Sequence, residues 1–293
     1  MVHTVALLGP NGRVGASALR HLLVAQKAGT INLVLLHRPG GPPKNIPQDA
    51  KVDIREVDIS GTQESIIEAL RGVSVLFSAL GYSAAPHEPN VLEAAAKTPG
   101  FVTMIPCFIS IPLHPEDFDV VPFAKPQLAF KRKAAELGVG FTKVTTGVFA
   151  GDFFNGVFGT DPKLNQVTAG ESQLANPLAI STLGHIGEAI AQILCRDPLL
   201  IANKTFSAVT LRSTGRGFLE AFEKLNGSPP KLVDYSQKDV ERPLQEASLV
   251  GLLMTLYMKH WDKMDLVYEN PIPPLNPESL EGFLKSFVEK DQS

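Results

Sequence analysis

Short apolar runs alternate along the chain with stretches whose apolar positions follow helical spacing. Apolar runs at 5–8, 31–36, 73–81 and 101–106 predict buried strands, and 52–57 alternates as a short strand. Helical spacing at 16–24, 63–70, 91–97 and 125–137 predicts helices between them, and 140–145 predicts a sixth strand. Strands that alternate with helices form a parallel, doubly wound sheet with right-handed crossovers.

A glycine-rich segment joins the first strand to the first helix. It reads Gly-Pro-Asn-Gly-Arg-Val-Gly over residues 9–15, with a GxxGxxG spacing. Gly9 suits a tight turn, Gly12 a close approach of the backbone to a pyrophosphate, and Gly15 close packing of helix on strand. A strand, this turn and a helix predict a dinucleotide-binding loop, whose alternative is a glycine-rich turn in some other α/β protein.

The end of the second predicted strand indicates which dinucleotide is preferred. Sites that prefer NAD place an acidic residue here to hold the ribose 2′-hydroxyl. This chain has Arg38, with Lys44 nearby, about 23 residues after Gly15 and near the ~20-residue offset typical of the position. A guanidinium suits a 2′-phosphate, so the sequence favours NADP over NAD. A solvent-facing loop arginine is the alternative.

Beyond residue 150 the pattern becomes less regular. Helices are predicted at 183–195, 217–225, 248–261 and 280–288, a strand at 204–209, and a polar connection at 228–243. The apolar stripe of 248–261 is typical of a core or dimer helix, with the cover of a substrate pocket as the alternative. We therefore expect a Rossmann-type domain over 1–150. Residues 151–293 are expected to be mainly a smaller, non-contiguous substrate-binding part, with some segments returning to the sheet.

Composition excludes several classes of protein. The 293 residues are 44% hydrophobic, which supports a sizeable core, but no apolar run approaches the ~20 residues of a membrane span. A net charge of −3 and a pI near 6.2 give no reason to expect a nucleic-acid or membrane partner. The two cysteines form no CxxC pair and the histidines are scattered, so neither a disulfide nor a metal is expected. With no signal peptide, the chain is expected to be cytoplasmic, as a monomer or a homodimer.

The ordered set of motifs resembles the NmrA-like, isoflavone-reductase-like branch of the short-chain dehydrogenases. The resemblance spans about residues 3–225 and rests on the glycine segment, Arg38, 57–59, 78–81, 138–149 and 180–194 followed by Asn203 and Lys204. It implies an NADP(H) site. The pyrophosphate would be held by Gly9, Asn11, Gly12, Arg13, Val14 and Gly15, the 2′-phosphate by Arg38, and the adenine by Asp58 and Ile59. The ribose would be flanked by Ala79, Leu80 and Gly81, and the nicotinamide bordered by Pro106, Gly147, Val148 and Phe149.

The chain departs from the pattern of the family that it resembles at the catalytic position. The Tyr-x-x-x-Lys pair of ordinary short-chain dehydrogenases is missing. The resembling branch instead uses a lysine about four residues before a basic pair, at the start of the helix that precedes the sixth strand. Here Gln127 stands four residues before Lys131, and the nearest lysine is Lys125. We predict Lys125 as the general acid or base, with a solvated surface lysine as the alternative.

The resemblance implies an NADPH-dependent reductase, and the loop after the fifth strand bears on its substrate. Residues 107–124 are rich in proline and aromatic residues and are predicted to form a loop over the active site, although a packed surface loop fits equally well. An apolar rim with Phe108 favours a hydrophobic substrate, whereas packing of Phe108 in the core is equally consistent. Two other functions stay open: an NADP(H)-binding regulator without catalysis, and a non-redox biosynthetic isomerase or cyclase.

Overall fold

The computed structural model describes residues 2–120, 124–156, 159–235, 249–263 and 266–290. The strands are β1 His3–Leu8, β2 Ile31–His37, β3 Asp53–Glu56, β4 Val75–Ser78, β5 Thr103–Ile105, β6 Gly140–Phe141, β7 Lys143–Thr146, β8 Val148–Phe149, β9 Gln166–Thr168, β10 Pro177–Ser181, β11 Thr205–Ala208, β12 Leu211–Thr214 and β13 Lys231–Val233. The helices are α1 Arg13–Lys27, α2 Gln63–Ala69, α3 Glu88–Ala96, α4 Asp117–Val120, α5 Ala124–Glu136, α6 Ala150–Phe153, α7 Glu171–Ala175, α8 Leu183–Leu194, α9 Pro198–Ile201, α10 Gly215–Asn226, α11 Leu249–Lys263 and α12 Leu280–Lys290.

A six-stranded parallel sheet in the order β3-β2-β1-β4-β5-β6 confirms the predicted fold class. β1 lies at its centre, with Val5 opposite Leu33 on one side and Val75 on the other. All three side chains are at most 3% exposed, as expected for strands covered on both faces. This strand order reverses direction between β1 and β4, and ligands of such sheets bind beyond the carboxyl ends of the strands at that point.

The chain forms two compact units. The first comprises Met1–Ile109, Pro122–Thr145 and Leu183–Ser207, and the second Ser110–Val121, Thr146–Thr182 and Ala208–Ser293. In the first unit α8 packs on α1: the Ser17 hydroxyl donates a 2.6 Å hydrogen bond to the carbonyl of Leu183. A Cβ on Gly187 would collide with Ser17, so this close approach requires a glycine.

The core of the second unit is rich in aromatic rings. Phe153, Phe154, Phe218 and Trp261 are each at most 1% exposed, and their contacts are mostly edge-on, with ring centroids 4.9–5.9 Å apart. The Trp261 indole donates a 2.7 Å hydrogen bond to the carbonyl of Asn176, so its polar edge is satisfied in the core. α11 therefore contributes core residues, as its apolar stripe indicated.

The prediction of a single strand over 140–145 is wrong in one respect, because the chain changes sheets at Thr142. The N–H of Thr142 still donates to Met104 of β5, but the next N–H, of Lys143, donates to Lys204. β6 therefore ends the parallel sheet, whereas β7 pairs with β11 in a separate two-stranded sheet. Asn203, in the left-handed region at φ +60°, accepts from the N–H of Phe141 and fixes the segment that precedes β11.

The two predicted connections both contain short elements. The loop 107–124 includes the four-residue helix α4, while 121–123 lie outside the described residues. Phe108 packs edge-on against Phe130, with ring centroids 5.7 Å apart, and joins the apolar core of the first unit. Of the two possibilities left open by the sequence, Phe108 therefore follows the one in which it packs in the core. The polar connection 228–243 includes β13, and 236–243 and Ser248 lie outside the described residues. None of the helices in the described ranges is both long and apolar enough to cross a membrane.

Candidate functional site

The glycine turn after β1 is built by backbone packing that excludes larger residues. Gly9 has φ +81°, and its N–H donates to the carbonyl of Leu36 at 3.2 Å. A Cβ on Gly9 would lie 2.9 Å from the carbonyl oxygen of Ala79, and one on Gly15 would collide with the carbonyl oxygen of Gly9. The turn therefore lies directly against the end of β4 and against its own helix, as the sequence predicted for a phosphate-binding loop.

The N-terminus of α1 is open to an anion. Gly12 precedes the helix in an extended conformation, and within the described chain no side chain caps the first turn, which holds no acidic residue. The first N–H groups of a helix have no partner within it, and the helix dipole places partial positive charge there. Arg13 and Val14 begin the helix and Gly15 completes the predicted set, so this end can bind a phosphate.

Asn11 acts through its side chain. Its Oδ1 accepts a 2.9 Å hydrogen bond from the N–H of Lys44, and its Nδ2 donates to the carbonyl of Pro42 at 2.9 Å. The segment that follows β2 is thereby tied to the glycine turn. Sequence reasoning assigned Asn11 to the pyrophosphate but did not reveal that it positions this segment.

Arg38 stands at the start of the same segment, directly after β2. It is exposed, and its side chain lies over Gly41, whose N–H donates to the Arg38 carbonyl at 3.0 Å. Within the described residues its guanidinium forms no ion pair, so its charge is not neutralised by a described carboxylate. A planar guanidinium binds a phosphate through two hydrogen bonds, which is the chemistry that the 2′-phosphate assignment requires.

The residues predicted at the adenine and the ribose follow β3 and β4. Asp58 is exposed, and hydrogen bonds from the hydroxyl and N–H of Ser60 lower the pKa of its carboxyl. The carbonyl of Ile59 accepts a 2.9 Å hydrogen bond from Asn90, while its side chain packs on the core. Directly after β4, the backbone of the predicted residues Ala79 and Leu80 meets the glycine turn, and the predicted residue Gly81 follows them.

A buried acid lies where β5 ends. Pro106 is buried, and the next residue, Cys107, donates from its N–H to Glu88 Oε1 at 2.9 Å and from its thiol to Oε2 at 3.2 Å. Glu88 is 0% exposed. Burial raises the pKa of its carboxyl, although the hydrogen bonds from Cys107 oppose this change. Burial and the Glu88 charge raise the pKa of the Cys107 thiol, which stays protonated at neutral pH.

Lys125 lies in the first turn of α5, and its side chain is exposed. Gln127, at the position where the resembling branch has its lysine, is only 6% exposed. The assignment of Lys125 as acid or base stays a prediction.

The remaining predicted residues belong to the second unit. The N–H of Gly147 donates a 2.8 Å hydrogen bond to the Ser181 hydroxyl, which in turn donates to the carbonyl of Ala208. Val148 and Phe149 form β8, which pairs with β10. Their assignment to the nicotinamide stays a prediction.

The second unit contains a pocket of its own, here called the second-unit pocket. It is a cavity of about 50 Å³ that opens to solvent. Its lining is Ile111, Val148, Pro177, Leu178, Ala179, Arg212, Tyr257, His260, Leu266 and Tyr268. An apolar lining with a few convergent polar groups is typical of small-molecule sites.

One of those polar groups, His260, is held by an ionised carboxylate. Asp117, 1% exposed, accepts hydrogen bonds from His260 Nε2 at 2.9 Å, Lys259 Nζ at 2.9 Å and the N–H of His114 at 2.7 Å. Burial alone would raise the pKa of Asp117, but these hydrogen bonds and the nearby charge hold it below its ordinary value. Burial lowers the pKa of His260 despite the carboxylate, so the imidazole is neutral at neutral pH. A neutral imidazole fixed by an aspartate can exchange protons.

Sequence reasoning missed the polar lining of this pocket and the carboxylate behind it. Asp117 and His260 are 143 positions apart, and no local motif connects them. Arg212 lies in a short strand without a recognisable pattern. The proline- and aromatic-rich composition of 107–124 was the available signal, since Asp117 belongs to that loop. Among the described residues, no cluster of three or more His, Cys, Asp or Glu could hold a metal ion.

Comparison with known proteins identifies the fold. No family model and no curated protein sequence matches the chain. An isoflavone reductase structure matches with a TM-score of 0.76 at 20% identity, covering 98% of this chain and 100% of that one. AtPrR2 with NADP+ and (+)-pinoresinol matches at 0.76 and 15%, covering 98% and 99%. The leucoanthocyanidin reductase–NADPH complex from Vitis vinifera matches at 0.75 and 14%, covering 99% and 100%.

These structural similarities define the fold class of the chain. The chain has the fold of isoflavone-reductase-like reductases, and the resemblance seen in its sequence motifs is confirmed at the level of the fold. At 14–20% identity the fold alone is shared. The function must therefore be argued from the residues of the site.

Proposed function

We propose that the chain is an NADPH-dependent reductase of a hydrophobic small molecule. One observation carries the proposal: the exposed Arg38, which has no ion-pair partner among the described residues, starts a segment that Asn11 ties to the glycine turn at the N-terminus of α1. The two features that a phosphorylated dinucleotide needs, a backbone anion site and a cation for the 2′-phosphate, are thus physically joined. Two structures with this fold contain NADP+ or NADPH.

The first unit would hold the dinucleotide. A Cβ on Gly9 or Gly15 would overlap backbone atoms at the turn, so both positions require glycine. Glycines at these positions are typical of a turn that binds a pyrophosphate. In this proposal the turn and the first turn of α1 hold the pyrophosphate, Arg38 the 2′-phosphate, Asp58 and Ile59 the adenine, and 79–81 the ribose. Pro106 would border the nicotinamide. The second unit, with its largely apolar pocket, would bind the substrate.

The chemistry divides between the cofactor and the chain. NADPH, when bound, supplies a hydride, and the substrate position that accepts it is a C=C, a C=O or a benzylic carbon. This chain must supply the accompanying proton. Lys125 is the proposed donor, because lysine is among the side chains that act as general acids and Lys125 lies in the first turn of α5.

Turnover tests this function. Purified protein is assayed for NADPH oxidation against a panel of hydrophobic carbonyls, enones and benzylic ethers, as wild type, Lys125→Met and Lys131→Met. Lys131 is the matched control, because it is an exposed lysine of the same helix. We expect Lys125→Met to lower kcat by about 10²–10⁴-fold at unchanged NADPH affinity, and Lys131→Met to have little effect. NADPH binding without oxidation across the panel would refute the proposal.

A regulator that binds NADP(H) without catalysis is the second candidate. One observation favours it: glutamine stands, buried, where related enzymes have a lysine, and Lys125 is exposed. Turnover that depends on Lys125 would exclude it. A product at unchanged oxidation level would instead identify a non-redox enzyme on the same fold.

A further inference from the structure

The second-unit pocket carries one positive charge that no described carboxylate neutralises. Arg212 lies on β12, and its guanidinium carbon is 4.9 Å from the centroid of the Tyr268 ring. Within the described residues it forms no ion pair. The ring orients the guanidinium without neutralising it, because a cation–π contact leaves the donors on the edge of the guanidinium available. A cation of this kind on a pocket wall favours an anion.

The tyrosines of the pocket add hydrogen-bond donors. Burial raises the pKa of Tyr268 to about 12, although the Arg212 charge opposes this change. Burial, with the charges of Asp152 and Tyr268, also raises the pKa of Tyr257. Both phenols therefore stay protonated at neutral pH. The Asp152 charge acts on Tyr257, but Asp152 is not one of the described residues that line the pocket.

The rest of the pocket is apolar or neutral. Six lining residues are apolar: Ile111, Val148, Pro177, Leu178, Ala179 and Leu266. His260 contributes a neutral imidazole, because burial lowers its pKa although the Asp117 carboxylate, bound to its Nε2, opposes this change. The walls thus combine a cation and the hydroxyl donor of Tyr268 with a hydrocarbon surface.

We propose that the second-unit pocket binds a small amphiphilic acid, with its carboxylate on Arg212 and its hydrocarbon part against the apolar walls. Tyr268, which lies beside Arg212 and lines the same pocket, supplies a hydroxyl donor for the same ligand. This inference rests on the proposed function, in which the acid is the substrate of the reductase. A cationic ligand would be repelled by Arg212, and a neutral one would leave its guanidinium without an anion.

The test is direct binding by calorimetry, without cofactor. The probes are benzoate, phenylacetate and 3-phenylpropanoate, each paired with its primary amide, which has the same shape but no charge. We expect at least one acid to bind about tenfold or more tightly than its amide, as one charge-assisted contact implies. Arg212→Gln should abolish that preference, and Arg212→Lys should retain part of it.

Arg196→Gln is the matched control. Arg196 lies in the first unit, with its guanidinium carbon 5.4 Å from the Phe206 ring centroid, so the variant removes a comparable cation–π contact outside the pocket. Its affinity for the acids should equal that of the wild type. The inference is overturned if no acid binds, if the amides bind as tightly as the acids, or if Arg212→Gln binds the acids unchanged. If Arg212→Gln does not fold, the difference in affinity between each acid and its amide, measured on the wild-type protein, still tests the inference.

Failure of the proposed function can be distinguished from failure of the pocket assignment. NADPH binding is titrated on the same wild-type preparation. Acid binding that depends on Arg212, with no NADPH binding, overturns the proposed reductase and supports the pocket assignment. NADPH binding and turnover of neutral substrates, with no binding of the acids, supports the reductase and overturns the pocket assignment.

Discussion

Asn11 and Lys44 are joined by a 2.9 Å hydrogen bond from the Lys44 N–H to the Asn11 side-chain oxygen. The same asparagine donates to the carbonyl of Pro42. One side chain in the glycine turn thereby fixes the segment that carries Arg38. The local order of that segment, as well as its charge, is expected to determine the affinity for NADPH.

Removing this connection should weaken NADPH binding without removing any charge. Asn11→Ala deletes the hydrogen bonds with Lys44 and Pro42 and a longer one, of 3.4 Å, to the carbonyl of Gly41. At about 0.5–1.5 kcal/mol for each of the two short bonds, we expect the Kd for NADPH to rise by about 5- to 100-fold in a fluorescence titration. Asn32→Ala is the control, because Asn32 is an exposed asparagine of the adjoining strand β2. Equal affinity in the two variants would contradict the role of Asn11.

Gly15 should not tolerate a side chain. A Cβ there collides with the carbonyl of Gly9, so Gly15→Ala must displace the turn or the helix, at about 1–3 kcal/mol of unfolding free energy. Gly81→Ala is the matched substitution, because nothing lies within 4 Å of a Cβ at that position and its φ is not in the left-handed region. Urea unfolding should show a loss for the first variant only. A stable Gly15→Ala protein would refute the proposed packing.

The parallel sheet and the glycine turn could be predicted because both depend on local sequence. The apolar run 5–8, the GxxGxxG spacing and Arg38 stand in one βαβ unit, so neighbours in sequence become neighbours in space. The sheet change at Thr142 could not be predicted in this way. It depends on hydrogen bonds to Lys204 and Asn203, which lie about 60 residues away.

The buried polar groups escaped sequence reasoning for the same physical reason. Glu88 looks like an ordinary acid in the first turn of a helix, and only its 0% exposure identifies it as unusual. Asp117 and His260 meet through tertiary packing alone. Burial, which determines their pKa values, is a property of the folded chain and not of the local pattern.

Glu88 should make stability depend on pH. Because burial raises the pKa of its carboxyl above the ordinary value of 4.5, the native state loses stability as pH rises from that value through the raised pKa. Glu88→Gln cannot ionise, so its unfolding free energy relative to wild type should increase over that interval, by about 1.4 kcal/mol for each pH unit between the ordinary and the raised pKa. Denaturant unfolding at several pH values between about 4 and 8 measures this. A difference in unfolding free energy between Glu88→Gln and wild type that does not vary with pH would contradict the raised pKa of Glu88.

Asp117 should behave in the opposite way. Its lowered pKa means that the ionised carboxylate stabilises the native state above its ordinary value of 3.8, and that this stability is lost as pH falls through the lowered pKa. Asp117→Asn removes the buried carboxylate that accepts hydrogen bonds from His260, Lys259 and the N–H of His114, and we expect a loss of about 3 kcal/mol at about pH 7 by urea unfolding. The loss should shrink only below about pH 4.

Glu116→Gln is the control for that experiment. Glu116 pairs with the same Lys259 at 2.8 Å, but its side chain is 58% exposed, so its loss should change stability by less than about 1 kcal/mol. Equal losses at the two positions would show that burial does not distinguish them.

The most direct test of the proposed function is a fluorescence titration with NADPH and with NADH on wild type and Arg38→Gln. We expect wild type to prefer NADPH, and the variant to lose about tenfold or more in affinity for NADPH while its affinity for NADH is unchanged, because only the 2′-phosphate contact is removed. Arg20→Gln, an exposed arginine of α1, should retain the preference. Binding of neither nucleotide to wild type, or equal losses for both in Arg38→Gln, would contradict the proposal.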